Sequence, residues 1–343
     1  MSQNKSDNTL IENSRVTFMS HTLKEENILV TGGAGFIGSA LVRELLKEDA
    51  NTIVYDNFIY GDRINVVELE NQIEVIAGDI LSWKLYDVIK EFKVRYVFHL
   101  AAEPYIPHCY DNPERFFDVN VRGTMNMLMA CKTLGVERIA HFSTSEVYGT
   151  AQFVPMNESH PTLPLSTYAV SKLAADRMCF VFSREHKIPV VIIRPFNCYG
   201  PRETQPYVIP EIITQLSKSN VLRLGNIKAR RDFSYVEDTV RGAVAVLKSD
   251  IPGGETVNLG SNRAYSVEDL AHLIGGIMGH DYVEIQTDKS RLRPLDVDLL
   301  ECDYSKVKRI TGWEPKVSIE EGLRRTVDWY LTNGKRWIWE KYV

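Results

Sequence analysis

The stretch NILVTGGAGFIGSALVRELLKE, residues 27–48, decides the fold of this chain. It begins with a short apolar run that predicts a β-strand and ends with a pattern that predicts an amphipathic helix. Between the two stand Gly32, Gly35 and Gly38. In such a unit the first glycine permits a tight turn, the second lets the backbone approach a pyrophosphate, and the third lets the helix pack closely on the strand. The stretch therefore predicts a dinucleotide-binding turn.

Short apolar runs alternate with amphipathic stretches along the first half of the chain. The runs are NILVTG, TIVYDN, EVIAGDI, YVFHLAA, RIAHFST and PVVIIRPF. This alternation is typical of parallel strands joined by helices. We therefore predict an α/β fold, a Rossmann-type doubly wound parallel sheet with a smaller α/β substrate-binding region at the C-terminal side.

Three regions follow from the same patterns. Residues 1–24 are polar and without periodicity, so we expect a flexible lead-in. Residues 25–199 carry the strand and helix alternation and are interpreted as the dinucleotide-binding Rossmann domain. Prolines break residues 200–343 into shorter units, which we interpret mainly as the substrate-binding region, interleaved with the last elements of the Rossmann domain.

Composition excludes several classes of function. The formal net charge of the 343 residues is -5, which predicts no general attraction to nucleic acid or to an anionic membrane. No apolar run approaches the roughly 20 residues that cross a bilayer, and residues 1–27 are too polar for a signal peptide. The five cysteines show neither paired nor metal-type spacing. We expect a cytoplasmic protein with reduced thiols and no metal site.

The second strand, TIVYDN, ends in Asp56. An acidic residue at this point of a dinucleotide-binding fold meets the adenosine ribose, and its charge would repel a ribose phosphate. NAD is thus favoured over NADP, although a surface turn aspartate is the alternative. After the third strand, GDI offers Asp79 and Ile80 to the adenine, and Gly-Asp is also ordinary turn chemistry.

Tyr168 and Lys172 form a YxxxK pattern at the start of a predicted helix. A spacing of four places both side chains on one helical face, where the lysine ammonium would lower the pKa of the tyrosine and hold the nicotinamide ribose. The pattern alone occurs by chance in many helices. The pattern is significant here because it follows the dinucleotide turn and then STSEVYG along the chain, in the expected order.

Seven motifs together carry a family resemblance. They run from about Asn27 to Tyr330 as TGGAGFIGS, HLAA, STSEVYG, YAVSK, RPFNCYGPR, RDFSYVEDT and RPLD. The chain resembles the extended short-chain dehydrogenase/reductase superfamily, in its NAD-dependent nucleotide-sugar epimerase/dehydratase branch. The resemblance implies a cofactor site of 15 expected residues, namely Gly32, Gly35, Phe36, Ile37, Gly38, Asp56, Asn57, Asp79, Ile80, Leu100, Ala101, Ala102, Ser143, Tyr168 and Lys172.

The resemblance also implies catalytic roles. Thr144 would hydrogen-bond the sugar 4-hydroxyl, Tyr168 would remove its proton, and Lys172 would support the tyrosinate, which leaves a 4-keto sugar after hydride transfer to NAD. A ketone at C4 acidifies the hydrogen at C5, so Glu146 can act there as general base. Once protonated, it can help water to leave C6. This sequence of steps is the 4,6-dehydratase reaction.

Ser145 separates this chain from dehydratases of thymidine-diphosphate glucose, which usually carry an Asp-Glu pair at this point. Single-glutamate dehydratases act on GDP-mannose or on UDP-N-acetylglucosamine. The run STSEVYGTAQFVPMNESHP most resembles the UDP-N-acetylglucosamine 4,6-dehydratases of the legionaminic acid pathway type.

Other readings stay open. UDP-glucuronate decarboxylases share the run around Glu146, although HLAAEPYIPHCYDNP does not match their proline-rich segment closely. Sugar-nucleotide 4-epimerases usually carry a small or neutral residue in place of this glutamate. A solvated turn carboxylate is the structural alternative. A catalytically silent NAD-binding relative is the alternative outside enzymes, and the intact Thr144, Tyr168 and Lys172 argue against it.

A nucleotide diphosphate needs local cations, because the chain as a whole is acidic, and arginine can bind two phosphate oxygens with its planar fork. The substrate residues that the motifs imply are Glu103, Ser145, Asn197, Val208, Ile209, Arg231 and Arg293. Uracil is our first choice of base and guanine the second, since RPLDVDLL is similar to GDP-mannose dehydratases.

Two predicted helices, at residues 117–134 and 169–186, carry apolar stripes. The stripes include Met125, Leu128, Met129, Leu173 and Met178. Part of each stripe must pack on the sheet. In this superfamily the same two helices form a four-helix dimer interface, so the resemblance implies a homodimer.

Overall fold

The structure is a computed structural model that describes residues 21–333 and residue 337. Most of the expected lead-in, residues 1–20, therefore lies outside the described residues. The strands are β1 (Asn27–Thr31), β2 (Asn51–Asp56), β3 (Ile73–Ala77), β4 (Tyr96–His99), β5 (Arg138–Phe142), β6 (Val190–Pro195), β7 (Asn197–Tyr199), β8 (Val221–Leu224), β9 (Arg230–Tyr235), β10 (Thr256–Leu259), β11 (Ala264–Ser266), β12 (Glu284–Thr287) and β13 (Leu299–Leu300).

Helices connect most of these strands. They are α1 (Phe36–Lys47), α2 (Lys84–Glu91), α3 (Pro113–Phe117), α4 (Thr124–Leu134), α5 (Thr167–His186), α6 (Val208–Leu216), α7 (Val236–Lys248), α8 (Val267–Ile277), α9 (Ser305–Thr311) and α10 (Ile319–Thr332). A π-helical segment, Asp118–Gly123, joins α3 to α4. No helix within residues 21–333 is both long and apolar enough to cross a membrane.

Seven parallel strands form the main sheet in the order β10-β6-β5-β4-β1-β2-β3. Successive residues of β1 enter cores on opposite faces. Ile28 and Val30 pack in a core that includes residues of α1 and α7, whereas Leu29 packs in a core that includes residues of α2, α4 and α5. Strands buried on both faces need near-continuous apolar runs, which explains the unbroken apolar residues of NILV in β1 and VVII in β6. The predicted doubly wound α/β sheet is confirmed.

The strand order reverses beside β1, since β2 lies on one side of it and β4 on the other. Open parallel sheets bind ligands at the carboxyl ends of their strands at such a switch point. The motifs TGGAGFIG, HLAA and STSE all follow the carboxyl ends of central strands. The topology therefore brings them to one edge of the sheet.

The chain beyond residue 200 contributes to both layers of the molecule. β7, β9, β11 and β13 form a second sheet, and β8 pairs with β12. A third apolar core joins α6, α8 and α10. α7 and β10 return to the main sheet, where β10 pairs with β6. The chain thus passes repeatedly between the Rossmann sheet and the smaller region.

Candidate active site

A cavity of about 750 Å³ lies at the carboxyl edge of the main sheet, between it and the smaller region. The described residues around it include every residue expected from the sequence to contact cofactor or substrate, with the exception of Asp79. The fold therefore gathers motifs that are far apart in the chain into one wall.

The glycine turn after β1 is shaped to receive a pyrophosphate. Gly32 has φ +72°, and a Cβ on it would lie 2.8 Å from the backbone nitrogen of Ala101. A Cβ on Gly38 would lie 2.1 Å from the carbonyl oxygen of Gly32. α1 begins at Phe36, so its unpaired N–H groups and positive dipole end face the cavity. These features fit NAD.

Asp56 ends β2 with its carboxylate held by the backbone. One oxygen, Oδ2, accepts the N–H of Ala34 at 3.0 Å, and Oδ1 accepts the N–H of Phe58 at 2.8 Å. Burial raises the pKa of Asp56, and these backbone donors oppose that shift. The carboxylate is thus fixed beside the glycine turn.

The side chain of Asp79 turns to its own loop. Its Oδ1 accepts the N–H of Leu81 at 2.9 Å, and its Oδ2 accepts the amide of Asn57 at 3.0 Å. Among the residues that the structure describes, Gly78 and Ile80 line the cavity here and Asp79 does not. Asp79 does not line the cavity because its carboxylate is held in an Asx-type turn of its own loop.

Thr144 and Tyr168 meet in the cavity wall. A hydrogen bond from Thr144 lowers the pKa of Tyr168, but burial dominates and raises that pKa to about 12, with a further upward contribution from the charge of Glu146. Ser166 caps α5 through a hydrogen bond from the N–H of Ala169, so Tyr168 lies in the first turn. The tyrosine is neutral in this arrangement.

Lys172 lies one turn further along α5 and is buried. Its Nζ donates to the carbonyl oxygen of Phe142 at 2.6 Å. Burial lowers the pKa of Lys172 to about 8. The sequence predicts that this ammonium lowers the pKa of Tyr168. In the structure it does not contribute to the pKa of Tyr168, because it is directed to the carbonyl oxygen of Phe142 at the end of β5.

Glu146 sits in a short 3-10 helix, Ser145–Tyr148, that Thr144 caps. The N–H of Glu146 donates to the Thr144 hydroxyl at 3.2 Å. The Glu146 side chain is only 13% exposed, and its Oε1 lies 3.9 Å from Nε of Arg231. It lines the cavity beside Thr144 and is not a solvated turn carboxylate.

Arg231 and Arg293 share one carboxylate. Arg231 Nη2 lies 3.1 Å and Arg293 Nη1 lies 3.7 Å from Oδ1 of Asp296. Asn226 donates to the other oxygen of Asp296 at 3.1 Å. Both guanidinium groups line the cavity, where their N–H groups can also donate to a diphosphate.

Glu103 is 3% exposed and already partnered. Its Oε1 accepts Nε of Arg115 at 2.8 Å, and its backbone N–H donates to Oδ1 of Asn120 at 2.8 Å. Tyr60 also hydrogen-bonds its carboxylate. Asn120 belongs to the π-helical segment, a distortion often found at functional sites.

The remaining expected substrate residues also line the cavity. Ser145 is buried next to Thr144, Asn197 begins β7, and Val208 and Ile209 begin α6. The structure thus brings the phosphate, sugar and base residues that the motifs imply into one continuous wall.

Several cavity residues escape sequence analysis. Tyr105 and Tyr207 meet across the cavity with ring centroids 5.7 Å apart in an edge-to-face contact. Glu203 lies in the loop before α6. Asp296 belongs to the quoted motif RPLD and was detectable there. No local pattern marks the other three, because loop residues reach the cavity only through the tertiary fold.

Within the described residues, no group of three or more His, Cys, Asp or Glu side chains is placed to hold a metal ion.

Comparison with known proteins gives one family. The family model of GDP-mannose 4,6 dehydratase matches residues 29–326. UDP-glucuronic acid decarboxylase 1 of Xenopus tropicalis is 33% identical over 331 residues, which cover 92% of this chain and 74% of that protein. The dTDP-D-glucose 4,6-dehydratase of Mus musculus is 34% identical over 325 residues, covering 91% of this chain and 90% of that one.

Solved structures agree. The dTDP-glucose 4,6-dehydratase of Streptomyces venezuelae, solved with NAD bound, has a TM-score of 0.84 and 32% identity, covering 91% of this chain and 99% of that one. The UDP-glucuronic acid 4-epimerase of Bacillus cereus, solved with UDP-glucuronic acid and NAD, has a TM-score of 0.84 and 31% identity, covering 90% of this chain and 99% of that one. The chain therefore belongs to the GDP-mannose 4,6-dehydratase family of the extended short-chain dehydrogenase/reductase superfamily.

Proposed function

We propose that this protein is an NAD-dependent nucleotide-sugar 4,6-dehydratase whose substrate is UDP-N-acetylglucosamine or a related UDP-hexose. The observation that carries the proposal is the position of Glu146. Its carboxylate is mostly buried in the cavity wall, it follows Thr144 in one hydrogen-bonded turn, and its charge acts on Tyr168. A general base beside the alcohol-oxidising pair is what an elimination needs.

Thr144 and Tyr168 are proposed to bind the sugar 4-hydroxyl, and Tyr168 takes its proton. NAD, when bound, would supply the hydride acceptor for C4 and later the hydride donor for C6. Lys172 lowers the pKa of Tyr168 when its ammonium turns from the Phe142 carbonyl to the ribose and the phenol. Its own lowered pKa, about 8, keeps it able to release a proton near neutrality.

Glu146 is proposed to take the C5 proton of the 4-keto sugar and then to give a proton to the C6 hydroxyl, which leaves as water. When hydride then adds to C6, C5 would regain a proton, balanced by the proton that Tyr168 took from the 4-hydroxyl and releases to solvent. Arg231 lies beside this carboxylate, with its Nε 3.9 Å from Oε1 of Glu146.

The nucleotide is proposed to lie along the smaller region. Arg231 and Arg293 would hold the diphosphate, and Val208 and Ile209 would pack on the base. Residues 25–199 would then hold NAD and residues 200–343 most of the nucleotide sugar. Uracil and N-acetylglucosamine follow from the resemblance of the STSEVYG run to the legionaminic-type dehydratases.

Decarboxylation of a UDP-glucuronate is the second candidate. The similarity to UDP-glucuronic acid decarboxylase 1 favours it, as does a guanidinium beside Glu146, which could bind a sugar carboxylate. A 4-epimerase would use the same first oxidation but has no use for a buried general base at this point. A silent NAD-binding relative has no use for the buried Thr144–Tyr168 pair.

Mass spectra of separate reactions test the proposal. Pure protein is mixed with UDP-N-acetylglucosamine, UDP-glucose, UDP-glucuronate, GDP-mannose or TDP-glucose. Loss of water from UDP-N-acetylglucosamine or UDP-glucose is expected. Loss of carbon dioxide would establish a decarboxylase. An unchanged mass with altered chromatographic retention would establish an epimerase. No reaction with any of the five nucleotide sugars would indicate the silent relative.

The protein is also proposed to be a homodimer. Met125 and Met129 of α4 are 39% and 38% exposed, and Val170 and Val181 of α5 are 41% and 46% exposed. Leu128, in contrast, is fully buried on the sheet side. A face with several exposed apolar side chains on two neighbouring helices suits a self-complementary interface. A cytoplasmic location is proposed because all five cysteines are free thiols.

A further inference from the structure

Glu203 is a buried carboxyl that the proposed reaction does not use. It lies in the loop between β7 and α6, it is 1% exposed, and it lines the cavity. Its neighbour Arg202 points the opposite way and bonds Glu68, which also pairs with Arg43 of α1. The loop is thus anchored on the helix of the dinucleotide turn, and Glu203 is turned inward.

The carboxyl of Glu203 has an open hydrogen-bonding position. Its Oε1 accepts the N–H of Gly200 at 3.2 Å, and within residues 21–333 the structure shows no other hydrogen bond to the side chain. Burial raises the pKa of Glu203 well above its usual value. A buried polar group with an open position is costly unless a ligand completes it.

The surroundings assign Glu203 to one end of the cavity. Glu203 bonds the backbone of Gly200, which directly follows β6 and β7 in the chain. β6 pairs with β5, whose last residue, Phe142, accepts the hydrogen bond from Lys172. Asp56 and Ile80 mark the other end, where the adenosine half of a dinucleotide lies. Glu203 therefore belongs to the end that holds the nicotinamide.

We propose that Glu203 binds the carboxamide of the NAD nicotinamide and thereby fixes the orientation of the ring. A primary carboxamide presents a donor NH₂, and a carboxyl oxygen without a hydrogen-bond partner can accept from it whether or not the carboxyl is protonated. The two groups are complementary. The inference rests on NAD as cofactor and does not depend on which reaction the enzyme performs.

Titration calorimetry on protein freed of NAD tests the inference, with NAD and ADP-ribose as probes. ADP-ribose lacks only the nicotinamide. Glu203→Leu is expected to raise the Kd for NAD about tenfold and to leave the Kd for ADP-ribose within about twofold. Glu203→Gln should bind NAD nearly as the natural protein does, because an amide also offers a donor and an acceptor.

Two results would overturn the inference. One is equal weakening of NAD and ADP-ribose binding by Glu203→Leu. The other is unchanged NAD binding, including the case in which only the affinity for UDP-sugars falls. Binding of ADP-ribose reports that the variant has folded, and Glu203→Ala replaces Glu203→Leu in the same titrations if the leucine variant fails to fold.

Discussion

The carboxylate of Glu146 lies 3.9 Å from the guanidinium of Arg231, and both side chains are largely buried in the cavity wall. The two residues come from different layers, Glu146 from the turn after β5 and Arg231 from β9. The pairing holds the Glu146 carboxylate next to the Thr144–Tyr168 hydroxyls. A proposed proton acceptor for C5 and a proposed phosphate ligand are thus linked electrostatically.

Replacement of Glu146 by Gln should separate the two stages of the reaction. The amide cannot take the C5 proton, so we expect water loss to slow by about 100-fold or more. C4 oxidation does not use this group. Reduced nicotinamide absorbance should therefore accumulate on addition of the nucleotide sugar, and stopped-flow absorbance together with product mass measures both.

The matched control is Glu137→Gln. Glu137 precedes β5, at the opposite end of the strand from the cavity, and its side chain is 53% exposed. This variant should turn over normally. Full dehydration by the Glu146 variant would remove the residue from the mechanism.

Replacement of Lys172 by Met should have a pH-dependent effect on stability. Burial lowers the pKa of Lys172 from 10.5 to about 8 in the folded protein, so between these values the unfolded chain binds more protons and wild-type stability rises with pH. Methionine does not titrate, so the stability of the variant lacks this pH-dependent contribution. Its free energy of unfolding relative to wild type should be highest below about pH 8 and should decline toward pH 10.5.

Denaturant unfolding at a series of pH values measures this difference. A difference that does not vary with pH would contradict the buried ammonium. The variant should also lose most activity at every pH, because no cation remains to lower the pKa of Tyr168.

Replacement of Gly38 by Ala should abolish NAD retention and destabilise the fold. The added Cβ would lie 2.1 Å from the carbonyl oxygen of Gly32, so the turn or the helix must shift, at a cost of about 1–3 kcal/mol or more. The bound-nucleotide content and a thermal melt report the two effects.

Gly276 of α8 offers the control, because nothing lies within 4 Å of a Cβ there. Gly276→Ala should retain NAD, and its free energy of unfolding should rise by about 0.5–1 kcal/mol. If Gly38→Ala and Gly276→Ala retain NAD and melt alike, the close packing of Gly38 on Gly32 is not needed for NAD binding or stability.

Replacement of Met129 by Lys should weaken the proposed dimer. The residue is 38% exposed on α4, and a buried ammonium in an apolar interface is costly. Sedimentation velocity should show a shift toward monomer. Tyr282→Lys, at a residue 64% exposed beside β12, should leave the distribution unchanged. A monomeric wild-type protein would refute the proposal.

Sequence patterns predicted what depends on local geometry. The glycine turn, the buried strands and the first turn of α5 are each written within a few neighbouring residues, because backbone freedom and apolar periodicity act locally. The motif order then placed them at one sheet edge. The confirmed α/β sheet rests on these local rules.

Sequence patterns could not predict contacts made between layers. The pairing of Glu146 with Arg231 and the edge-to-face contact of Tyr105 with Tyr207 depend on how the smaller region sits on the sheet. Glu203 is held by the backbone N–H of Gly200 in a loop, while its neighbour Arg202 bonds Glu68. Loops carry no periodicity, so nothing in the string marks which of their side chains face a cavity.

The most direct test follows deuterium from C4 of the nucleotide sugar that the mass spectra identify as substrate. In a 4,6-dehydratase the hydride removed from C4 returns to C6. The account predicts a product that has lost water and carries the deuterium in its C6 methyl group, as nuclear magnetic resonance would show. Deuterium returned to C4, with C6 unreduced or lost as carbon dioxide, would contradict it.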